Sequence, residues 1–304
     1  MIYVLVTGPT YLRMLYKVLS TKMMLKAPCQ WVASPLGYNV LLSMLKEASP
    51  LEKYIQIAKS FEKTEGCILK NRIFVSPTNS KDISKLSKLA KIEETEFSKD
   101  GNSFTAYLNQ FGHLRWHEFG SKTELIIANI CSFESTWQLN KKSDIEMKLY
   151  NSSNYTDDVR YEGRLLEIPL SLEDFKLVLL IPNETDVLST LFSRLTSHGM
   201  AAAVSTLHPM FTAKSVITAP RVDVISRVHI NEKISEMPDA LTIQYGAINV
   251  SDIGTRIQVW TCLYYPANTV TRDDEVKTTR PPYYFALVYN DTPIFYGDIN
   301  SLVI

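Results

Sequence analysis

The sequence predicts an α+β fold, because helical periodicity dominates its first half and strand-like runs dominate its second half. Apolar residues recur at helical spacing in five segments, which lie at 11–19, 36–45, 50–61, 81–91 and 103–119. Strand-like runs occur at 67–75, 124–133, 165–170, 175–181, 215–225, 241–250, 283–288 and 294–297. The two kinds of element do not alternate regularly, so a parallel sheet built from βαβ units is not expected.

Local residue types support individual elements. The helix at 36–45 has the clearest start, since Ser34 can cap it and Pro35 occupies its first turn. The lysines in the helix at 81–91 are typical of a solvated helix face rather than a nucleic-acid patch. The run at 124–133 is apolar enough for a strand buried on both faces. The runs at 165–170 and 175–181 predict an antiparallel pair.

The composition is that of an ordinary globular domain. The chain has 304 residues, of which 45% are hydrophobic, with 32 Lys and Arg against 32 Asp and Glu. This length fits one large domain or two modest ones, and no low-complexity linker divides the chain, which favours a single domain over 1–304. Zero net charge removes the usual electrostatic reason to expect nucleic acid or an acidic membrane surface as partner. Glycine is scarce, and no glycine-rich phosphate-binding motif occurs, which argues against a nucleotide-dependent enzyme.

The cysteines and the apolar runs predict a cytoplasmic chain. Four cysteines lie far apart without a CxxC pair, as expected for free thiols in a reducing compartment. The N-terminal run at 2–6 is shorter than a signal-peptide core of about 7–15 residues. No run approaches the roughly 20 apolar residues of a membrane span. Secretion is the alternative, because five N-glycosylation sequons occur, at Asn151, Asn154, Asn183, Asn249 and Asn290.

No motif identifies a catalytic or metal centre. His113 and His117 stand four residues apart on a predicted helix, a spacing that can bind a metal. No third ligand is evident, so surface or packing roles are favoured for both histidines. No GxSxG motif supplies a nucleophile. We therefore expect a protein that is not an enzyme and that holds neither a cofactor nor a metal.

Five short strings resemble the serpin family, in the family's order and over most of the chain. They are WVASPLGYNVLLSMLKEAS at 31–49, LKNRIFVSP at 69–77, ELIIANICSFESTWQLN at 124–140, FKLVLLIPNE at 175–184 and RPPYYFALVYNDTPIFYGDIN at 280–300. The third carries the family's Asn-x-x-x-Phe-x-x-x-Trp pattern at Asn129, Phe133 and Trp137. The last is the most specific, because its prolines, its aromatic run and Gly297 fall in the family's order.

The resemblance implies a large mixed central sheet, smaller sheets and an exposed reactive-centre loop at 251–280. A protease attacks such a loop, and the part before the cut then inserts into the main sheet as a new strand. The enzyme is trapped as a covalent acyl-enzyme. The implied partner is therefore a serine or cysteine protease of a host, and the implied inhibitor is a monomer. Zero net charge argues against a heparin-type basic patch.

The hinge of this loop departs from the family pattern, which has Gly-Thr, a glutamate and then small residues. Here Gly-Thr is kept but bulky residues follow, so that the hinge consists of Gly254, Thr255, Arg256, Ile257, Gln258, Val259, Trp260 and Thr261. On an inserted strand every second residue from Thr255 to Thr261 faces inward, and Arg256, Gln258 and Trp260 face outward. Ile257 and Val259 are expected to overpack the layer beneath at a cost of about 1–3 kcal/mol.

Two functions follow from this hinge, and both stay open at this point. One is inhibition by suicide-substrate trapping. The other is a non-inhibitory interaction protein with the serpin fold, in which bulky Arg256 and Trp260 make insertion slower than release of the protease.

Counting from Gly254 with the usual loop length predicts the scissile bond at Asn268–Thr269, within a window of 267–272. Asn268 suits a cysteine protease that prefers Asx, and Arg272 suits a trypsin-like enzyme if the register shifts. The chain is also shorter than the family pattern, at 138–164 and 235–240. Such abbreviated serpins are similar to those of poxviruses, which implies a viral modulator of host inflammation or apoptosis.

Overall fold

The computed structural model contains three helices and thirteen strands among the residues that it describes. These residues are 31–45, 52–79, 83, 86, 90–97, 103–109, 122–137, 154–158, 163–182, 208–209, 222–230, 234, 237–251, 253–265, 282–290 and 292–300. The helices are α1 (Pro35–Met44), α2 (Glu52–Phe61) and α3 (Ser103–Asn109). The strands are β1 (Trp31–Ala33), β2 (Cys67–Val75), β3 (Lys91–Glu94), β4 (Leu125–Thr136), β5 (Asn154–Asp158), β6 (Gly163–Pro169), β7 (Phe175–Pro182), β8 (His208–Pro209), β9 (Val222–Ile230), β10 (Leu241–Val250), β11 (Gly254–Tyr265), β12 (Pro282–Tyr289) and β13 (Thr292–Asn300).

The two N-terminal helices form where capping and periodicity predict them. Ser34 Oγ accepts a hydrogen bond of 3.0 Å from the Gly37 amide, so it caps α1, and Pro35 needs no amide partner in the first turn. In α2 the side chains of Tyr54, Ile57 and Phe61 are buried at intervals of three and four residues. That stripe packs α2 against the core.

Six strands form the sheet that carries the candidate site, in the order β3-β2-β4-β11-β10-β9. β2 and β3 are parallel, and the four other pairs are antiparallel. The sheet is therefore mixed, as the resemblance implies. In β4 the residues from 125 to 133 are all buried, which confirms the prediction of a strand covered on both faces.

The second sheet has seven strands in the order β1-β13-β12-β7-β6-β5-β8. β6 and β7 pair antiparallel, as predicted from their apolar runs. β12 and β13 form a hairpin in which Asn290 has a φ of 42°, a conformation that asparagine tolerates better than most residues.

The main core lies between the two sheets and supports the site from beneath. One cluster of buried residues joins Phe133 of β4 and Ile257 of β11 to Phe175, Phe285 and Phe295 of the second sheet. We call this side of the six-stranded sheet its inner face. A second cluster joins the opposite, outer face to the aromatic residues of α3, Phe104 and Tyr107. Helix α3 thus covers part of the outer face.

Several predicted elements have different bounds in the structure. Helix α3 ends at Asn109, and 110–119 of the predicted helix lies outside the described residues, as does the helix at 11–19. Only 83, 86, 90 and 91 of the helix at 81–91 are described. Of the strand predicted at 215–225, the part at 215–221 lies outside the described residues, and the described strand continues past the predicted end, from Val222 to Ile230. The short strands β3, β5 and β8 had no prediction of their own, because two to five residues are too few to establish a period.

Candidate functional site

The candidate site is β11, which lies in the segment that the sequence analysis assigned to an exposed loop. All 12 of its residues pair with β4, from Gly254 opposite Thr136 to Tyr265 opposite Leu125. On its other side β11 pairs antiparallel with β10 over ten positions. Residues 254–265 are therefore an inner strand of the sheet rather than an exposed loop.

The inner face of β11 explains why this segment enters the sheet. The expected inward residues, Thr255, Ile257, Val259 and Thr261, are at most 2% exposed. Ile257 and Val259 belong to the cluster between the sheets, so the core accommodates the two side chains that were expected to overpack it. The predicted alternation is confirmed for this face. Burial of each such aliphatic side chain contributes about 1.5–3 kcal/mol.

The outer face of β11 carries the three residues expected there, but only part of this face meets solvent. Arg256 is exposed and Gln258 is half-buried, but Trp260 is completely buried among α3, β4 and β10. Its indole packs in the cluster of Phe104 and Tyr107. A strand pattern fixes the face of a side chain but not whether a helix covers it. That is why the sequence did not reveal the burial of Trp260.

A network of buried polar groups holds β11 at Thr261, and we call it the polar latch. Gln244 Nε2 donates to Thr261 Oγ1 at 2.9 Å and to the Ser34 carbonyl oxygen at 2.9 Å. Gln244 Oε1 accepts from the Ser34 amide at 3.1 Å. All three residues are at most 2% exposed. The latch thus fixes the inserted strand to β10 and to the start of α1.

Gly37 lets α1 approach the polar latch closely. A Cβ at this position would lie 2.6 Å from Asn129 Oδ1 and 2.9 Å from Thr261 Oγ1. A side chain at this position would therefore require a shift of α1 or of the Asn129 and Thr261 side chains, which would disturb the polar latch. Sequence reasoning missed Gln244, Thr261's partner, because it lies in an apolar strand and its partners are distant along the chain.

The turn between β10 and β11 is anchored by Trp137. The indole Nε1 donates to the Ser251 carbonyl oxygen at 2.9 Å, and the Trp137 amide donates to the Ile253 carbonyl oxygen at 3.1 Å. Trp137 is 5% exposed. At the first residue of β11 only glycine fits, because a Cβ on Gly254 would clash with the Ser135 carbonyl oxygen. Trp137 and Gly254 together fix where the strand enters the sheet.

A cleft of about 800 Å³ opens beside this turn and includes Gly66, Ser171 and Arg256 in its lining. Arg256 Nε lies 3.8 Å from Glu134 Oε2, and the two side chains are 61% and 68% exposed. An ion pair this open to solvent contributes little to stability. The point at which β11 enters the sheet is therefore fixed by the turn and by the buried residues of the strand, and not by the Arg256–Glu134 ion pair.

Solved structures with the same arrangement identify the fold. A structure of cleaved Serpin 42Da matches with a TM-score of 0.68 and 18% identity, over 96% of this chain and 96% of the other. The fold is that of the serpins. A loop-inserted structure of a cleaved ovalbumin mutant matches with a TM-score of 0.64 and 13% identity, over 97% of this chain and 99% of the other.

A solved structure of a viral serpin shares the fold of this chain. The viral serpin CrmA matches with a TM-score of 0.54 and 14% identity, over 76% of this chain and 92% of the other. No family model matches the sequence, and no curated protein matches it either. The serpin fold therefore rests on structural similarity at low sequence identity.

The serpin fold brings together part of the predicted site. The hinge residues from Gly254 to Thr261 lie in one strand, next to β4 and β10. The predicted scissile bond at Asn268–Thr269 and its window 267–272 lie outside the described residues, as do His113 and His117. Within the described ranges, no group of three potential metal ligands occurs. No helix of the described part is long and apolar enough to cross a membrane.

The described cysteines are thiols buried to different degrees. Burial raises the pKa of Cys131 in β4 and of Cys262 in β11 far above the ordinary value, because desolvation disfavours the thiolate. Burial raises the pKa of the half-buried Cys67 to about 12. All three groups are therefore neutral thiols near pH 7 and are poor nucleophiles there.

Proposed function

We propose that this serpin-fold protein inhibits a host serine or cysteine protease by suicide-substrate trapping. The observation that carries the proposal is the position of β11, whose 12 residues pair fully with β4. A loop that can become an inner strand is what the trapping reaction requires, because insertion moves the attached protease before the acyl-enzyme is hydrolysed.

Burial on both faces of β11 supplies the driving force in this proposal. Ile257 and Val259 enter the core between the sheets, and Trp260 and Cys262 enter the cluster under α3. The polar latch then satisfies the hydroxyl of Thr261. The bulky hinge therefore contributes favourable contacts once it is inserted.

A non-inhibitory interaction protein is the second candidate, and the burial of Trp260 favours it. The indole is 0% exposed in the cluster that includes Phe104 and Tyr107 of α3, so the side chains of that cluster must rearrange to admit it. If that rearrangement is slower than hydrolysis of the acyl-enzyme, the protease leaves and the chain is only a substrate. The two candidates therefore differ in the rate of loop insertion relative to the rate of acyl-enzyme hydrolysis, and not in the stability of the inserted form.

The proposal is tested by incubating the protein with serine and cysteine proteases, including Asx-specific and trypsin-like enzymes. Trapping gives a covalent adduct that survives SDS and boiling, with a mass equal to the protease plus the cleaved inhibitor. The same enzyme without its active-site nucleophile should give no adduct, because no acyl bond can form. Clean cleavage at 267–272 without adduct for every enzyme would favour the non-inhibitory candidate.

Cys262 should report the insertion step directly. It is 1% exposed in β11, whereas a loop outside the sheet would expose it. We expect maleimide to modify Cys262 in the intact protein at least about 100-fold faster than after cleavage of the loop, as measured by peptide mass spectrometry. Cys131 in β4 should stay protected in both samples. Equal protection of Cys262 before and after cleavage would mean that insertion precedes the cut, which is incompatible with trapping.

The biological setting belongs to the same proposal. We place the protein in the cytoplasm of a host cell as a viral modulator of inflammation or apoptosis. Support comes from the four cysteines, which lie far apart in sequence without a CxxC pair as expected for free thiols in a reducing compartment, and from the shortened segments at 138–164 and 235–240. Secretion is the alternative, and glycosidase treatment of the natural protein distinguishes the two, because occupied sequons would place it in the secretory pathway.

A further inference from the structure

Strand β9 ends the six-stranded sheet with a long edge. It has nine residues, and no other described strand pairs with its outer side. An edge strand presents backbone donors and acceptors that another chain can pair with, and proteins usually protect such edges with proline, lysine or very short strands. β9 contains neither proline nor lysine and has no glycine that would weaken it.

The opposite edge of the same sheet has that protection. β3 is only four residues long, and three of them are charged, Lys91, Glu93 and Glu94. A short, charged strand resists pairing with another chain. The contrast makes β9 the edge of this sheet that is suited to association.

The outer face of β9 carries an acidic, an apolar and a basic residue at intervals of two. Asp223 is exposed, Ile225 is 70% exposed, and Arg227 is half-buried. The Arg227 guanidinium contacts His229 Nε2, with Nη2 at 2.8 Å and Nε at 3.2 Å. This order of charges is self-complementary when two copies of the strand run in opposite directions.

We propose that β9 is a homodimer interface in which the outer edges of two copies pair antiparallel about a two-fold axis at Ile225. In this register Ile225 lies opposite the partner's Ile225, and Asp223 lies opposite the partner's Arg227. Symmetry repeats the Asp–Arg pair on the other side of the axis. A guanidinium can bind more than one acceptor, so Arg227 holds both His229 and the partner's carboxylate.

We assign a second copy as the occupant because the order Asp223, Ile225, Arg227 is complementary to itself when two copies of β9 run antiparallel. In this register each Asp223 faces an Arg227 and the two isoleucines face each other, so the charges match without a second kind of strand. Directly opposite residues on one face have Cβ atoms about 4.5–5.5 Å apart, close enough for the two isoleucines to make contact. The six-stranded sheets of the two copies then join into one continuous sheet.

Sedimentation velocity between about 1 and 500 µM tests the pairing, since one strand edge gives a weak, concentration-dependent dimer. The chain has a mass of 34.6 kDa, and we expect twice that mass at the high end. Ile225→Lys should raise the dissociation constant at least about 30-fold, because two lysines then meet on the axis. The matched control is Ile92→Lys on the β3 edge, where the isoleucine is 46% exposed, and it should dimerise as the parent does.

Two charge variants test the register. Asp223→Arg and Arg227→Asp should each fail to self-associate, because like charges face each other across the axis. Mixed one to one, they should form a heterodimer with affinity near that of the parent. Circular dichroism and the melting temperature show whether each variant folds. A parent that stays monomeric at 500 µM, or a mixture that does not associate although both variants are folded, overturns the proposal.

Discussion

Replacing Trp260 with alanine is expected to destabilise the loop-inserted form by about 3–5 kcal/mol. Trp260 is the largest completely buried side chain of the described residues, and it fills the space between β11 and α3. Its removal leaves a cavity lined by Phe104 and Tyr107 that the surrounding strands cannot close. Denaturant unfolding of the loop-cleaved protein, before and after the substitution, measures the loss.

The control for this prediction is Gln258→Ala, which changes a half-buried side chain on the same face of the same strand. It should cost less than about 1 kcal/mol. Trp260→Phe should give an intermediate loss, because part of the ring volume is kept. If Trp260→Ala and Gln258→Ala destabilise the cleaved form equally, the indole is not packed under α3. Under the proposal the loop lies outside the sheet before cleavage, so neither variant should change the free energy of unfolding of the uncleaved protein.

Trp260→Ala also separates the rate of insertion from the stability of the product. Without the indole, the cluster that includes Phe104 and Tyr107 needs to rearrange less to admit β11, so we expect a larger fraction of protease to be trapped. The same variant is thus predicted to lose stability after insertion and to gain efficiency during it. The two effects have opposite signs because the side chain obstructs entry and stabilises the inserted state.

Capping residues and apolar periodicity predicted the elements whose bounds depend on residues close together in the sequence. Ser34 and Pro35 identified the start of α1, and the buried run in β4 showed a strand covered on both faces. β11 was harder, because its outer face changes character along its length. Arg256 and Gln258 meet solvent, whereas Trp260 meets α3, which lies about 150 residues earlier in the sequence. A period of two predicts the face on which a side chain lies but not whether a helix covers that face, so the burial of Trp260 was not predictable.

The polar latch was not predictable from sequence for a related reason. Gln244 is a polar residue in a largely apolar strand. The sequence alone does not show which groups its side chain binds. Its partners are 210 residues away at Ser34 and 17 residues away at Thr261. Their meeting depends on the pairing of β10 with β11 and on the position of α1. The Gly-Thr pair of the hinge was identifiable because the resemblance supplied a pattern to compare with, but the partners of Thr261 come only from the fold.

Replacing Ile257 with glutamate is expected to abolish trapping while leaving cleavage of the loop intact. Ile257 is 0% exposed between the two sheets, where its neighbours are apolar. A carboxylate there loses hydration without gaining a partner, which costs several kcal/mol even if it takes up a proton. Outside the sheet the same glutamate is solvated and costs nothing. The substitution therefore acts on insertion alone, and an SDS gel should show cleaved chain without adduct.

Gln258→Glu is the matched control, because it places the same charge one residue along, on the outer face of the strand. This side chain is half-buried beside the exposed Arg256, so the charge keeps contact with water. We expect adduct close to the parent level and the same rise in melting temperature after cleavage. Ile257→Glu should show no such rise. Because neighbouring strand residues point to opposite faces, a loss of adduct in both variants would indicate a general effect of charge. Adduct formation by Ile257→Glu would show that trapping does not bury this position, and the proposed role of β11 would then be wrong.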